Sequence, residues 1–149
     1  MTTGLVHVID DDPGIRSAVS RLLRAHGKQV ETYSSAEDFL SREVPSAPAC
    51  IVLDLQMPGI GGLELQQYLG RNREILPIIF LSGHGSILTS VSAMKRGAVD
   101  FLTKPVNEQQ LMSAVESALD RARRAFARHD ALEKKESYDH QYAKNSRNE

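Results

Sequence analysis

The sequence predicts a doubly wound α/β domain, a parallel sheet with helices on both faces. Three observations carry that prediction. Short apolar runs rich in branched residues alternate with helical periodicity in five successive strand-helix units. The connections between units are only a few residues long, which suits right-handed crossovers between parallel strands. The third run, Ala49-Cys50-Ile51-Val52-Leu53-Asp54, is almost continuously apolar, as a strand covered on both faces must be.

Leu5-Val6-His7-Val8-Ile9 is the first strand, and it ends at Asp10-Asp11-Asp12. Pro13 suits the first turn of a helix, with an Asp before it as N-cap. Ile15, Val19, Leu22 and Leu23 recur at helical spacing, and His26-Gly27 closes that helix. Lys28 to Tyr33 alternates as the second strand. Ser34-Ser35-Ala36-Glu37 opens a helix with Phe39 and Leu40 inward, and Pro45 and Pro48 mark the next loop.

After the Asp54 strand the chain turns at Pro58-Gly59, and a third helix carries Leu63, Leu65, Tyr68 and Leu69. Leu76 to Leu81 is the fourth strand, ending at Ser82-Gly83-His84-Gly85. The fourth helix carries Ile87, Leu88, Val91 and Met94 and stops at Arg96-Gly97. Ala98 to Leu102 is a short fifth strand running into Thr103-Lys104-Pro105. The last helix starts near Asn107 with Leu111, Met112, Val115 and Leu119, and Ala122, Phe126 and Leu132 can prolong it. From Lys134 the polar, weakly patterned sequence suits a solvated or disordered tail, or a linker to further sequence.

A chain of 149 residues, 41% hydrophobic and 25% charged, fits one soluble domain with a short appendage. The formal charge of −1 is unevenly spread: residues 121–149 carry eight Lys/Arg against five Asp/Glu, and the rest ten against fourteen. An acidic body is a poor nucleic-acid binder, and Arg121, Arg123, Arg124 and Arg128 lack aromatic interleaving, so a solvated helix face is expected there. Cys50, the single cysteine, precludes an intramolecular disulfide. No run approaches the ~18 apolar residues of a membrane span, and the N-terminus lacks a basic region before an apolar stretch, so a cytoplasmic location is expected.

In a parallel sheet the carboxyl ends of the strands share one edge, where ligands bind. Here they would gather Asp10-Asp11, Asp54, Ser82 and Lys104. Converging carboxylates repel unless a cation is supplied. A hard divalent ion such as Mg²⁺ takes oxygen ligands and keeps several waters. Lys104 and the Ser82 hydroxyl suit phosphate oxygens. Asp54 would then accept a covalent phosphoryl group. Taken singly, each residue also has a plain role: Asp54 or Ser82 as a turn cap, Asp10 to Asp12 as a turn and helix cap, Phe101 as core, Lys104 as an exposed lysine.

Together these marks resemble a bacterial response-regulator receiver domain, over roughly residues 5–120. The residues are the acidic pair after strand one, Asp54-Leu55-Gln56-Met57-Pro58-Gly59, the hydroxyl after strand four and Lys104-Pro105 after strand five. His7 to Asp12, Ser82 to Gly85 and Ala93 to Phe101 look like the FixJ-type branch. The resemblance implies a flavodoxin-like (βα)5 fold with strand order 2-1-3-4-5 and a C-terminal helical extension. It implies a receiver over residues 1–120 and a charged helical extension or linker, partly disordered, over 121–149.

It further implies Asp54 as phosphorylation site, with Asp10, Asp11, Asp54 and the Gln56 backbone carbonyl holding Mg²⁺, for which Mn²⁺ could substitute. Arg16, five residues after Asp11, matches the family's spacing and leaves Asp12 to cap the first helix. Ser82 and Lys104 would contact the phosphoryl group, with a cis Lys104-Pro105 bond, and Phe101 would be the switch aromatic. Gln56 and His84 fill the positions that tune phosphate lifetime. The implied partners are a sensor histidine kinase and a second copy, through helix 4 and strand 5, with no direct nucleic-acid or membrane binding and no enzyme activity on other substrates. The family's usual DNA-binding helix-turn-helix is not in this sequence.

Two other classes are weighed. A flavin carrier on the same fold would need a hydroxyl- and glycine-rich phosphate loop after strand one, where three acids stand instead. A phosphatase using Asp54 as nucleophile would need an acid at position 56, which is Gln56.

Overall fold

The computed structural model describes residues 4–43, 47–70, 76–83 and 87–147. Strands β1 (Leu5–Ile9), β2 (Gln29–Tyr33), β3 (Ala49–Asp54), β4 (Ile78–Ser82) and β5 (Asp100–Thr103) alternate with helices. The helices are α1 (Pro13–Ala25), α2 (Ala36–Ser41), α3 (Gly62–Leu69), α4 (Ile87–Lys95) and α5 (Glu108–Arg147). The strands form one sheet in the order β2-β1-β3-β4-β5, every pair parallel. This is the flavodoxin-like order expected from the sequence.

All six residues of β3 are buried, because the strand lies at the centre with helices over both faces. Alternate side chains enter two separate cores. Val6, Val8, Val52, Ile79 and Leu81 pack with Val19 and Leu23 of α1 and with Leu111, Val115 and Leu119 of α5. Ile9, Ile51, Leu53, Ile78 and Phe80 pack with Phe39 of α2, Leu65 of α3 and Ala93 of α4. At about 25 cal/mol per Å² of apolar surface removed from water, each fully buried Leu, Ile or Phe stabilises the fold by about 1.5–3 kcal/mol before entropy is counted.

The helix starts are set locally. Asp12 caps α1, its side chain accepting from the Gly14 and Ile15 amides, with Pro13 at the first helical position. Ser35 caps α2 by accepting from Asp38 N. Gly62 opens α3 because nothing larger fits: a Cβ there would lie 2.5 Å from the Asp54 carbonyl oxygen and 3.1 Å from the Phe80 ring.

The apolar residues of α3 and α4 are not all inward: Tyr68 is 73% exposed, Ile87 and Leu88 each 82%. α4 is instead seated through its buried Ala93, whose carbonyl accepts from the Ala98 amide just past the helix and from Nε2 of buried Gln66, each at 3.1 Å. The polar stretch from Lys134 continues α5 to Arg147, in keeping with the C-terminal helical extension expected from the sequence. No Gly or Pro occurs after Pro105, so nothing in the chain breaks the helix, and its Ala, Glu, Lys and Arg favour it. Burial along α5 runs to Ala125, whereas Leu132 is exposed.

Candidate functional site

The carboxyl ends of β1, β3, β4 and β5 deliver the site. Asp10 directly follows β1, and Asp54 is the last residue of β3. One carboxylate oxygen from each of Asp10, Asp11 and Asp54 lies within 4.8 Å of the others. Asp10 and Asp54 are buried and Asp11 is exposed, so the cluster has a floor and an open side.

Lys104 closes the constellation from β5. Its Nζ stands 3.1 Å from Asp10 Oδ2 and 3.2 Å from Asp54 Oδ1, an ammonium shared between the two buried acids. The Lys104 amide donates to the Ser82 carbonyl at 2.8 Å, and Ser82 is in register with Thr103, which brings the β4 and β5 ends together. The Lys104–Pro105 peptide bond is cis. Arg16 fixes the β1 end, donating from Nη1 to the Asp10 carbonyl at 2.7 Å, and the Asp12 amide donates to Asp10 Oδ1 at 2.9 Å.

The electrostatics follow from this geometry. Burial, then the negative charge of Asp10, push the Asp54 carboxyl up to about 6, and Lys104 opposes that rise. Burial pulls the Lys104 ammonium down, but its bonds to Asp10 and Asp54 win and leave it raised. Such a site favours a cation over a bare carboxylate pair. The donor set, three carboxylates at a sheet edge with one of them exposed, fits a hard divalent ion that takes oxygen ligands.

The sequence-predicted residues are distributed as follows. Asp10, Asp11, Asp54 and Lys104 converge. Ser82 is buried at the end of β4, and Phe101 on β5 is half-buried against Phe80, ring centroids 6.0 Å apart. Gln56 is exposed, two residues past Asp54. His84 lies outside the described residues. Cys50 is fully buried, and burial pushes its thiol up to about 12, so it takes no part. His7 is buried on β1 with its Nδ1 hydrogen-bonded to the Tyr33 hydroxyl at 3.0 Å.

Sequence reasoning missed two polar ties. Glu37 accepts from the Ile60 amide at 2.7 Å, and Gln66 anchors α4. Both bonds join residues more than twenty positions apart, beyond any periodic signal.

A doubly wound sheet with an acidic cluster and a lysine at its carboxyl edge defines a class of metal-assisted phosphoryl sites. Within that class the family is given by comparison. The chain matches the response regulator receiver domain over residues 6–116. It is 42% identical over 123 residues to Nodulation protein W of Bradyrhizobium diazoefficiens, covering 83% of this chain and 54% of that protein. It is 41% identical over 126 residues to the transcriptional regulatory protein FixJ of Azorhizobium caulinodans, covering 85% and 60%. Among solved structures, response regulator StyR superposes with a TM-score of 0.80 at 38% identity, covering 95% of this chain and 70% of that one. FixJ-N gives 0.69 at 35%, covering 80% and 96%.

This chain therefore belongs to the response-regulator receiver family, in its FixJ-type branch. Receiver domains of this kind are phosphoacceptor switches of two-component signalling. The chain spans between half and three fifths of the curated relatives it matches. Among the described residues, no helix is long and apolar enough to cross a membrane.

Proposed function

We propose that Asp54 is the phosphoryl acceptor and that Asp10, Asp11, Asp54 and the Gln56 backbone carbonyl hold a Mg²⁺ ion, with Mn²⁺ as a workable substitute. The observation that supports this most directly is the convergence of three carboxylates within 4.8 Å beside the Lys104 ammonium. When bound, the ion supplies charge neutralisation for a phosphoryl group approaching an acidic edge.

The chain's own residues do the rest. An Asp54 oxygen attacks the phosphorus of a histidine kinase's phosphohistidine; the O–P bond forms as the P–N bond breaks, and the freed imidazole takes a proton from water. Lys104 leaves its pairing with Asp54 for a phosphoryl oxygen, and the Ser82 hydroxyl donates to another. That shift moves the ends of β4 and β5 and lets Phe101 repack. Gln56 and His84 govern how readily water reaches the phosphorus.

The output is a protein surface. Ile87, Leu88, Val91 and Met94 of α4 form an exposed apolar face beside β5, and a second copy of the phosphorylated chain is the partner that fits the reading. Residues 1–120 would be the switching unit, and 121–149 would carry its state onward. The chain acts in the cytoplasm, turns over no separate substrate and leaves nucleic acid to other parts of the pathway.

Intact mass after incubation with acetyl phosphate or phosphoramidate tests the assignment. One phosphoryl mass that requires Mg²⁺ and is absent in Asp54→Asn is the expected result. An unmodified wild type at short quench times, with no Mg²⁺ uptake either, overturns it.

A further inference from the structure

We propose that Glu37 is a positioning residue for the metal side of the site, clamping the loop between β3 and α3 so that the Gln56 carbonyl is set for the cation. This rests on the assignment of that carbonyl made above.

The loop runs from Leu55 to Gly61. At its base the Gly62 amide donates to the Leu55 carbonyl at 3.0 Å. At its far end the Ile60 amide donates to Glu37 Oε1 at 2.7 Å. Among the described residues, this is the loop's one hydrogen bond to a side chain of another element. The backbone is bent to meet it: Gly59 has φ +76°, and a Cβ there would lie 2.6 Å from the same Oε1. The Glu37 carboxyl is held below the usual range, first of all by that Ile60 amide.

The two sides of the clamp differ in rigidity. α2 is pinned by buried Ala36 and Phe39 and by the Ser35 cap. Met57 and Ile60 are half-buried, but Gln56, Pro58 and Gly59 are exposed, and no side-chain hydrogen bond holds Gln56 among the described residues. A carbonyl that must face an ion loses affinity if its peptide plane can rotate, so a partner that fixes the plane acts on the metal without touching it. Glu37 itself lies outside the carboxylate cluster. Its contribution is therefore one of loop geometry, and a neutral side chain that accepts the same bond should serve.

The test is Mg²⁺ affinity by calorimetry for wild type, Glu37→Gln, Glu37→Ala and Glu64→Ala, with the Ile60 amide followed by NMR. Glu64 lies beside the same loop and controls for loss of nearby negative charge. Glu37→Ala should bind Mg²⁺ about fivefold more weakly, the loss of one typical hydrogen bond, and shift the Ile60 amide. Glu37→Gln should stay within about twofold of wild type and keep the amide in place. Equal affinity in Glu37→Ala and wild type overturns the proposal, as does an equal fall in Glu37→Gln and Glu64→Ala, which would indicate charge alone. Failure of wild type to bind Mg²⁺ at all would instead overturn the site assignment beneath it.

Discussion

Lys104 reaches Asp54 across fifty residues of sequence, its Nζ 3.2 Å from Asp54 Oδ1 and, on the other side, 3.1 Å from Asp10 Oδ2. The ammonium is thus the positive charge that balances the two buried acids. Lys104→Met should accordingly lower the stability of the metal-free protein by about 1–3 kcal/mol, since two buried carboxylates lose their partner. The same variant should bind Mg²⁺ more tightly than wild type, because the ion no longer competes with an ammonium. Urea unfolding and calorimetry check the two halves; weaker Mg²⁺ binding would refute the competition.

Asp54 is costly to ionise. Its folded-state value of about 6 lies above the ordinary 3.8, so between those values the native state binds more protons than the unfolded chain. Metal-free stability must then fall as pH rises through that window. Asp54→Asn should abolish this slope and stabilise the metal-free protein at pH 7 by about 1–2 kcal/mol, after allowing for water at the open strand end. Added Mg²⁺ should raise the melting temperature of wild type far more than that of the variant, and less effectively below pH 6.

His7 works in the opposite sense. Burial lowers it from 6.5 to about 4, and its Nε2 has no hydrogen-bond partner among the described residues. The unfolded chain therefore takes up a proton that the native state refuses, so stability is full above pH 6.5 and is lost as pH falls toward 4. Over that range wild type should lose about 2–3 kcal/mol that His7→Leu retains. Denaturant midpoints at pH 7 and 4.5 measure the difference.

Gly62→Ala introduces a methyl 2.5 Å from the Asp54 carbonyl oxygen and 3.0 Å from Leu55 Cα, both backbone atoms. Neither can retreat without distorting the end of β3. A loss of about 2 kcal/mol or more in unfolding free energy is expected, with weaker Mg²⁺ binding because Asp54 shifts. An unperturbed variant would show that the strand end is softer than its burial implies.

On α4, Leu88→Glu should change monomer stability by less than about 0.5 kcal/mol, because the side chain is 82% exposed. It should still remove any phosphorylation-dependent dimer in sedimentation. Retention of that dimer would move the interface elsewhere.

The order of elements was legible because burial on both sheet faces leaves a run such as Ile51-Val52-Leu53 nowhere to be but the centre. The carboxylate cluster was legible for a related reason: an acid at the end of such a run can only stand at the sheet's edge. The exposure of Ile87 and Leu88 was not, since apolar residues at helical spacing look alike whether sheet or solvent faces them. Nor was the Glu37 bond to Ile60, where a first-turn acid already had a sufficient local role. The sequence offered the C-terminal extension as helix or linker without deciding between them: beyond Ala125 the apolar stripe thins, yet no Gly or Pro follows to end a helix.

That length makes α5 a rod with a defined phase. From Ala125, the last buried residue among those described, to Arg147 the helix rises roughly 33 Å at 1.5 Å per residue. Anything joined to its far end is held at a fixed bearing as well as a fixed distance, since each residue turns the axis by about 100°. Deleting one residue beyond Ala125 would swing that bearing by more than a right angle while shortening the reach by only about 1.5 Å. Deleting seven, close to two whole turns, would shorten it by about 10 Å and nearly restore the bearing. The helix is thus a part whose timing, like that of a cam, matters more than its size.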